Sequence, residues 1–246
     1  MQRTPVITAA AALLAVTLVS ACEPGSTAAQ PLSPGTAAGS TGPVAPLPAT
    51  APDAPTTLSP ADVLAAAAAA TKMVDAAFVR YAATGFETLT ATSWAASVTA
   101  APPAASGSAN LLIDGRRVQS DFDVASGRLR VENVDGVRED VGAARGVLDP
   151  PELLDRITGL STLLPAVTDA VLDAEPATLN DRPMVRVHAQ LPAADAHLLL
   201  PSDALASAGS VPVALWLDPA SGYTLRQLIL TTGSGAVTVS LDPQTS

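Results

Sequence analysis

From Ala109 to Glu132 apolar and polar residues alternate with a period of two, and this alternation constrains the chain more than any other feature. Ala109, Leu111 and Ile113 recur at every second position, and Asp114-Gly115 follows as a hairpin turn signal. Val118, Ser120, Phe122 and Val124 then oppose Arg117, Gln119, Asp121 and Asp123. After Ser126-Gly127 the same pattern returns, with Leu129 and Val131 opposing Arg128, Arg130 and Glu132. Side chains point to opposite faces at successive strand positions, so these runs are consecutive antiparallel strands with one wet face and one apolar face.

The rest of the chain extends that sheet. Ser59-Pro60-Ala61-Asp62 reads as a helix start, and Leu64, Ala68, Thr71, Val74 and Phe78 recur at helical spacing behind it. Strands are expected at 78–84 and 88–100, with Pro102-Pro103 breaking the run. Asp149-Pro150-Pro151-Glu152 is a second helix start. Leu153, Leu154, Ile157, Leu160 and Leu164 form its apolar side, with a break near Gly159 and a stop at Pro165. Strands resume at 171–178 and 184–191, where Val185, Val187 and Ala189 oppose Arg186, His188 and Gln190. A short helix is expected over 193–200, then strands at 211–217, 223–231 and 236–241. A meandering antiparallel sheet with inserted helices is an α+β domain.

Ahead of this domain the composition changes. Arg3 is followed by an apolar run from Val6 to Val19, too short for a comfortable membrane span. It closes on Leu18-Val19-Ser20-Ala21-Cys22, an aliphatic residue three before a cysteine with small residues between, which resembles a bacterial lipobox. Cys22 is the only cysteine, so the chain has no internal disulfide and no cysteine-based metal cluster. Residues 1–21 are therefore read as a signal peptide, with lipid attached at Cys22. The anchored protein is expected on the extracytoplasmic face of the cell membrane, and two or more acyl chains make such anchoring stable. Residues 22–57, rich in Pro, Ala, Gly, Ser and Thr, are read as a tether that cannot bury enough surface to order itself. A flexible coil of that length spans roughly 30–35 Å. The folded domain is read as 58–246.

The formal charge is −10, and Lys72 is the only lysine. That balance excludes nucleic acid as a partner and adhesion to anionic headgroups. Chemistry has little to build on. His188 and His197 are the only histidines and lack catalytic neighbours, and the serines lie in no Gly-x-Ser-x-Gly elbow. Asp121 and Asp123 share a face but lack further oxygen ligands nearby. Asp169, Asp173 and Glu175 read as a solvated edge, and Trp94 and Trp216 as packing. No enzyme, cofactor or metal is expected.

Several runs resemble one known family. Asp140-Val141-Gly142-Ala143-Ala144, continuing through Leu148-Asp149-Pro150 to Thr158-Gly159-Leu160, follows its pattern, as do Val211-Pro212-Val213-Ala214-Leu215-Trp216-Leu217 and Gly233-Ser234-Gly235. Ala70-Thr71-Lys72 is similar to the family's start. In order, spacing and position behind a lipobox, these resemble the actinobacterial LppX/LprA/LprF/LprG lipoproteins over roughly residues 60–242. The resemblance implies a strongly curved half-barrel sheet with helices on its concave face, enclosing an apolar cavity for the acyl chains of envelope lipids or lipoglycans. It implies a carrier or chaperone between membrane layers, with a membrane exporter as an unidentified partner, and no catalytic residues. The expected cavity-lining residues are Ala109, Leu111, Ile113, Phe122, Leu129, Val131, Leu153, Leu160, Leu164 and Val187. The alternative is a surface scaffold that uses the same fold to meet other proteins. The sequence departs from the family at Leu148, commonly a Tyr, and at Ser240-Leu241-Asp242-Pro243, where many members have Ser-x-Trp-Gly.

Overall fold

The computed structural model describes residues 58–113, 115–133, 135–205 and 209–244. The signal, Cys22 and the tether lie outside the described residues.

Helix α1 (Pro60–Lys72) begins where the sequence places it. Ser59 Oγ accepts the Asp62 N–H at 3.2 Å, and the Asp62 carboxylate accepts the Ser59 N–H at 3.3 Å. This reciprocal cap satisfies donors that the first turn otherwise leaves unpaired. Val63, Leu64, Ala67 and Thr71 form the buried stripe. Ala68 is only half-buried, and the stripe does not continue to Phe78. The helix stops at Lys72, and Phe78 lies in a strand beneath the Arg80 guanidinium.

The strands that follow are β1 (Ala76–Thr84), β2 (Ala91–Ala100), β3 (Pro103–Ile113), β4 (Arg116–Ala125), β5 (Arg128–Glu132) and β6 (Arg138–Ala143). After the short helices α2 (Pro150–Leu153) and α3 (Leu160–Leu163) come β7 (Thr168–Leu172), β8 (Ala177–Leu179) and β9 (Arg182–Pro192). Helix α4 (Ser202–Leu205) precedes β10 (Ser210–Asp218), β11 (Thr224–Thr231) and β12 (Ala236–Pro243). All described pairings are antiparallel, in the order β6-β5-β4-β3-β2-β1-β12-β11-β10-β9-β7, with β8 paired to β9. The sheet is open, with β6 and β7 at its ends. Two meanders therefore join where β1 meets β12, the first and last strands. The segment 144–167 leaves one end of the sheet and re-enters at the other. It carries Leu153, Leu154, Leu160, Leu163 and Leu164 into the same buried cluster as the strands.

Three sequence expectations are corrected here. The helix expected from Pro150 to Pro165 is two four-residue helices. Between them the Asp155 carboxylate accepts the N–H groups of Ile157 at 2.7 Å and Thr158 at 2.8 Å. A carboxylate that captures local backbone donors offers the chain an alternative to helix, and Ile157 is left 82% exposed. The helix expected over 193–200 is a single tight turn, Ala196–Leu198, because Pro201 disfavours helical backbone at Leu200. The strand expected at 171–178 is split into β7 and β8 around Asp173 to Pro176.

Candidate functional site

The strand register assembles one apolar face. One row runs Ser120, Ala109, Trp94, Tyr81, Val239, Leu228, Leu215, Val187, Leu172 across nine strands, β4 to β7 in the order of the sheet. A parallel row runs Val131, Phe122, Gly107, Ala96, Val79, Leu241. Helix α1 adds Val63, Leu64 and Ala67, and all of these apolar side chains except Leu172, which packs at its margin, join one buried cluster. Each large apolar side chain taken wholly out of water stabilises the fold by about 1.5–3 kcal/mol.

Nine of the expected cavity-lining residues belong to this cluster: Ala109, Leu111, Phe122, Leu129, Val131, Leu153, Leu160, Leu164 and Val187. Ile113 stands apart. It is the last residue of β3, beside the turn, and is 41% exposed. The face is closed against water, with Phe122, Leu160, Leu164 and Val187 fully buried.

Polar atoms are few here, and each has a describable position. Tyr81 donates its hydroxyl to the Leu199 carbonyl at 3.0 Å, tying β1 to the β9–β10 connection. Burial pushes the Tyr81 phenol pKa up, so the group remains a donor. Ser120 donates to the Glu132 carbonyl, and Thr71 Oγ1 accepts the Leu225 N–H at 3.0 Å. Trp94 stacks on Tyr81 with ring centroids 5.7 Å apart and planes within 8°. Sequence reasoning placed Trp94 in packing but did not find its partner, because only the β1–β2 register brings the two rings together.

The opposite face is polar. Asp121 and Asp123 lie on it, and Asp123 is paired with Arg138 at 2.9 Å. His188 Nε2 lies 3.2 Å from Asp173, which Arg186 also contacts. His197 Nδ1 lies 2.7 Å from the Ala194 carbonyl oxygen. No group of three or more potential metal ligands occurs among the described residues, and no described helix is long and apolar enough to cross a membrane. A separate cleft of about 900 Å³ lies near Phe86, Leu205 and Thr232. None of the expected cavity residues is among its described walls.

The model of the LppX_LprAFG lipoprotein family matches residues 59–243. The chain belongs to that family. It is a lipoprotein family, and no catalytic family is indicated. Among curated relatives, the lipoarabinomannan carrier protein LprG of Mycobacterium tuberculosis (strain ATCC 25618 / H37Rv) is 28% identical over 138 residues, 56% of this chain and 57% of that protein. The LprG protein of Mycobacterium bovis (strain ATCC BAA-935 / AF2122/97) matches equally. The chain thus spans little more than half the length of these relatives. The crystal structure of LprF from Mycobacterium bovis superposes with a TM-score of 0.66 at 23% identity, covering 76% of this chain and 94% of that one. That of Mycobacterium tuberculosis LppX gives a TM-score of 0.58 at 20% identity, covering 74% and 93%. These two show a shared fold. Within it, the family-like run from Asp140 forms the end strand β6, Leu148-Asp149-Pro150 opens α2, and Val211 to Leu217 is the body of β10.

Proposed function

We propose that this protein binds the acyl chains of envelope lipids or lipoglycans between the apolar face of its sheet and the helices above it. It carries or chaperones them between membrane layers while Cys22, lipidated, holds it on the extracytoplasmic face of the membrane. The observation that carries this reading is the apolar face, nine strands wide along its longest row, on which β3 presents Ala105, Gly107, Ala109 and Leu111. A lipid enters where small side chains of the sheet leave least bulk to displace, by parting α2 from β2 and β3. Helix α2 is four residues long and is followed by the exposed turn around Ile157, so it can move as a small unit, and an acyl chain would replace the contacts that Leu153 and Leu154 give up. Ala109, Leu111, Phe122, Leu129, Val131, Leu153, Leu160, Leu164 and Val187 meet the acyl chains in the opened form. Ile113 is not among them. The carrier name of the LprG relatives supports a lipoglycan as cargo.

A second reading, a scaffold that carries no lipid, is favoured by the closure of the same face. Native mass spectrometry and lipid extraction of the exported chain carrying Cys22→Ser decide between them. The carrier gives a co-purifying mass of lipid size. Repeated recovery of a lipid-free mass favours the scaffold.

A further inference from the structure

Trp94 is 4% exposed, and its indole N–H, buried on the apolar side of β2, meets no acceptor among the described residues. Its neighbours in the row do not share this condition. The Tyr81 hydroxyl is taken up by Leu199 and that of Ser120 by Glu132. The other unmatched buried polar atoms, on Asn110 and Arg117, belong to residues of the opposite face. Leaving a buried donor unmatched costs the full desolvation of that group, and a phenylalanine would supply the same stacking without it.

The donor's surroundings indicate what would complete it. One neighbour in register is Tyr81, on which the indole stacks. The other is Ala109, and Gly107 follows on the same side of β3. Trp94 therefore stands at the border between an aromatic pair and the smallest side chains of the face, where a bound acyl chain meets least protein. A hydrocarbon chain has no acceptor of its own. The acceptor that travels with it is the carbonyl oxygen of its ester.

We infer that the Trp94 indole N–H donates a hydrogen bond to the ester carbonyl of a bound acyl chain. This rests on the acyl-binding reading above and adds a chemical class to it, ester-linked lipid in preference to ether-linked lipid. The bond fixes how far the chain slides along the face, and so where the headgroup stops.

The test uses the exported chain carrying Cys22→Ser, offered vesicles of zwitterionic diacyl phosphatidylcholine or of its dialkyl-ether analogue. The chain has only two tryptophans, and Trp216 lies on the opposite face with the Arg186 guanidinium over its ring. A proton–nitrogen correlation spectrum therefore shows two indole signals, assigned with Trp216→Phe. The diacyl lipid is expected to move the Trp94 signal downfield and slow its hydrogen exchange, and the ether lipid is not. Trp94→Phe is expected to stay folded, to bind the diacyl lipid about threefold to tenfold more weakly, and to bind the ether lipid unchanged. Equal shifts with both lipids overturn the inference. So does a Trp94 signal already hydrogen-bonded without lipid and unmoved by it, which marks a buried water as the partner. If wild type takes up neither lipid, the acyl-binding reading itself fails.

Discussion

The two meanders line the same apolar face with different material. Strands β9 to β12 present mostly large aliphatic side chains, Val187, Leu191, Leu215, Leu228, Leu230, Val237 and Val239 with Ala189 among them, whereas β1 to β3 mix Ala77, Ala96, Ala105, Gly107 and Ala109 with Val79, Val98, Leu111, Tyr81 and Trp94. The first set fills its own space. The second has more small side chains, and the four-residue helix α2 packs over its strands β2 and β3. The polar fastenings differ in the same way. At the end of β10 the Asp218 side chain is 2% exposed and holds Arg226 at 2.8 Å, Arg182 at 3.0 Å and the Ala220 N–H at 3.0 Å. The β5–β6 end relies on Arg128 and Asp140, whose side chains are 58% and 41% exposed, and exposed pairs are worth at most about 1 kcal/mol. We propose that the first half stays shut and that the second yields.

The largest expected effect comes from the fastened half. Asp218→Ala leaves Arg226, whose side chain is 12% exposed, without its buried carboxylate. Breaking such a pair from one side costs about 3–5 kcal/mol. Urea unfolding measures it, and a loss below about 1 kcal/mol would mean that the two halves are held alike.

Next is Gly107→Ala in the yielding half. A Cβ at Gly107 would lie 2.0 Å from the Ala95 carbonyl oxygen and 2.6 Å from Ala96 Cα, so strand backbone would have to move. Glycine here permits a close approach of β3 to β2. The expected cost is about 1–3 kcal/mol, read from the same unfolding curves. An unchanged midpoint would show that this part of the sheet is looser than its register implies.

The halves are also expected to respond oppositely to pH. Burial alone would raise the Asp218 pKa, but the Arg226 hydrogen bond, the two guanidinium charges and the Ala220 N–H outweigh it and hold the carboxyl below its ordinary range. Its contribution is therefore present above the unfolded pKa, near 4, and is lost as pH falls through the folded value. At α2 the sign reverses. Burial raises Asp149, and burial with the Asp149 charge raises Glu152. Their contribution is full below the unfolded pKa and lost as pH rises through the folded one. Hydrogen-exchange protection over 150–154 should fall as pH rises above the ordinary carboxylate range near 4, while protection in β10 and β11 holds or rises. Parallel trends would remove the contrast.

What was legible in the sequence follows the same division of forces. Strands β3, β4, β5 and β9 have one wet face and one apolar face, so their period could be read directly. Strand β6 could not be read as one, because Arg138 to Val141 are all exposed and the strand is held by backbone pairing and ion pairs rather than by a buried stripe. The breaks at Asp155 and Pro201 depend on a side chain capturing local donors and on backbone sterics, which outweighed a good helical spacing of leucines. Alternation alone put Ala109, Leu111, Phe122, Leu129 and Val131 on apolar strand faces, and the family resemblance implied their place in the candidate site. The Tyr81–Trp94 stack, and the matching of Tyr81 but not Trp94, depend on pairing between strands and on a carbonyl at Leu199, far away in the chain.

The smallest expected change in stability is also the most direct test of the yielding half. Ala109 is 2% exposed and sits in register with Trp94 on one side and Ser120 on the other. Ala109→Trp places a large ring on that face. If the space above β3 is rigidly filled, overpacking costs about 1–3 kcal/mol and lowers the melting temperature visibly. If α2 parts from the sheet as proposed, the ring takes the volume an acyl chain would occupy. The expected outcome is a stability loss below about 1 kcal/mol with lipid loading largely abolished, measured by a thermal melt and a lipid count on the same preparations. A strongly destabilised variant would place this half with the rigid one. A stable variant that still carries its full lipid load would move the binding path away from β3.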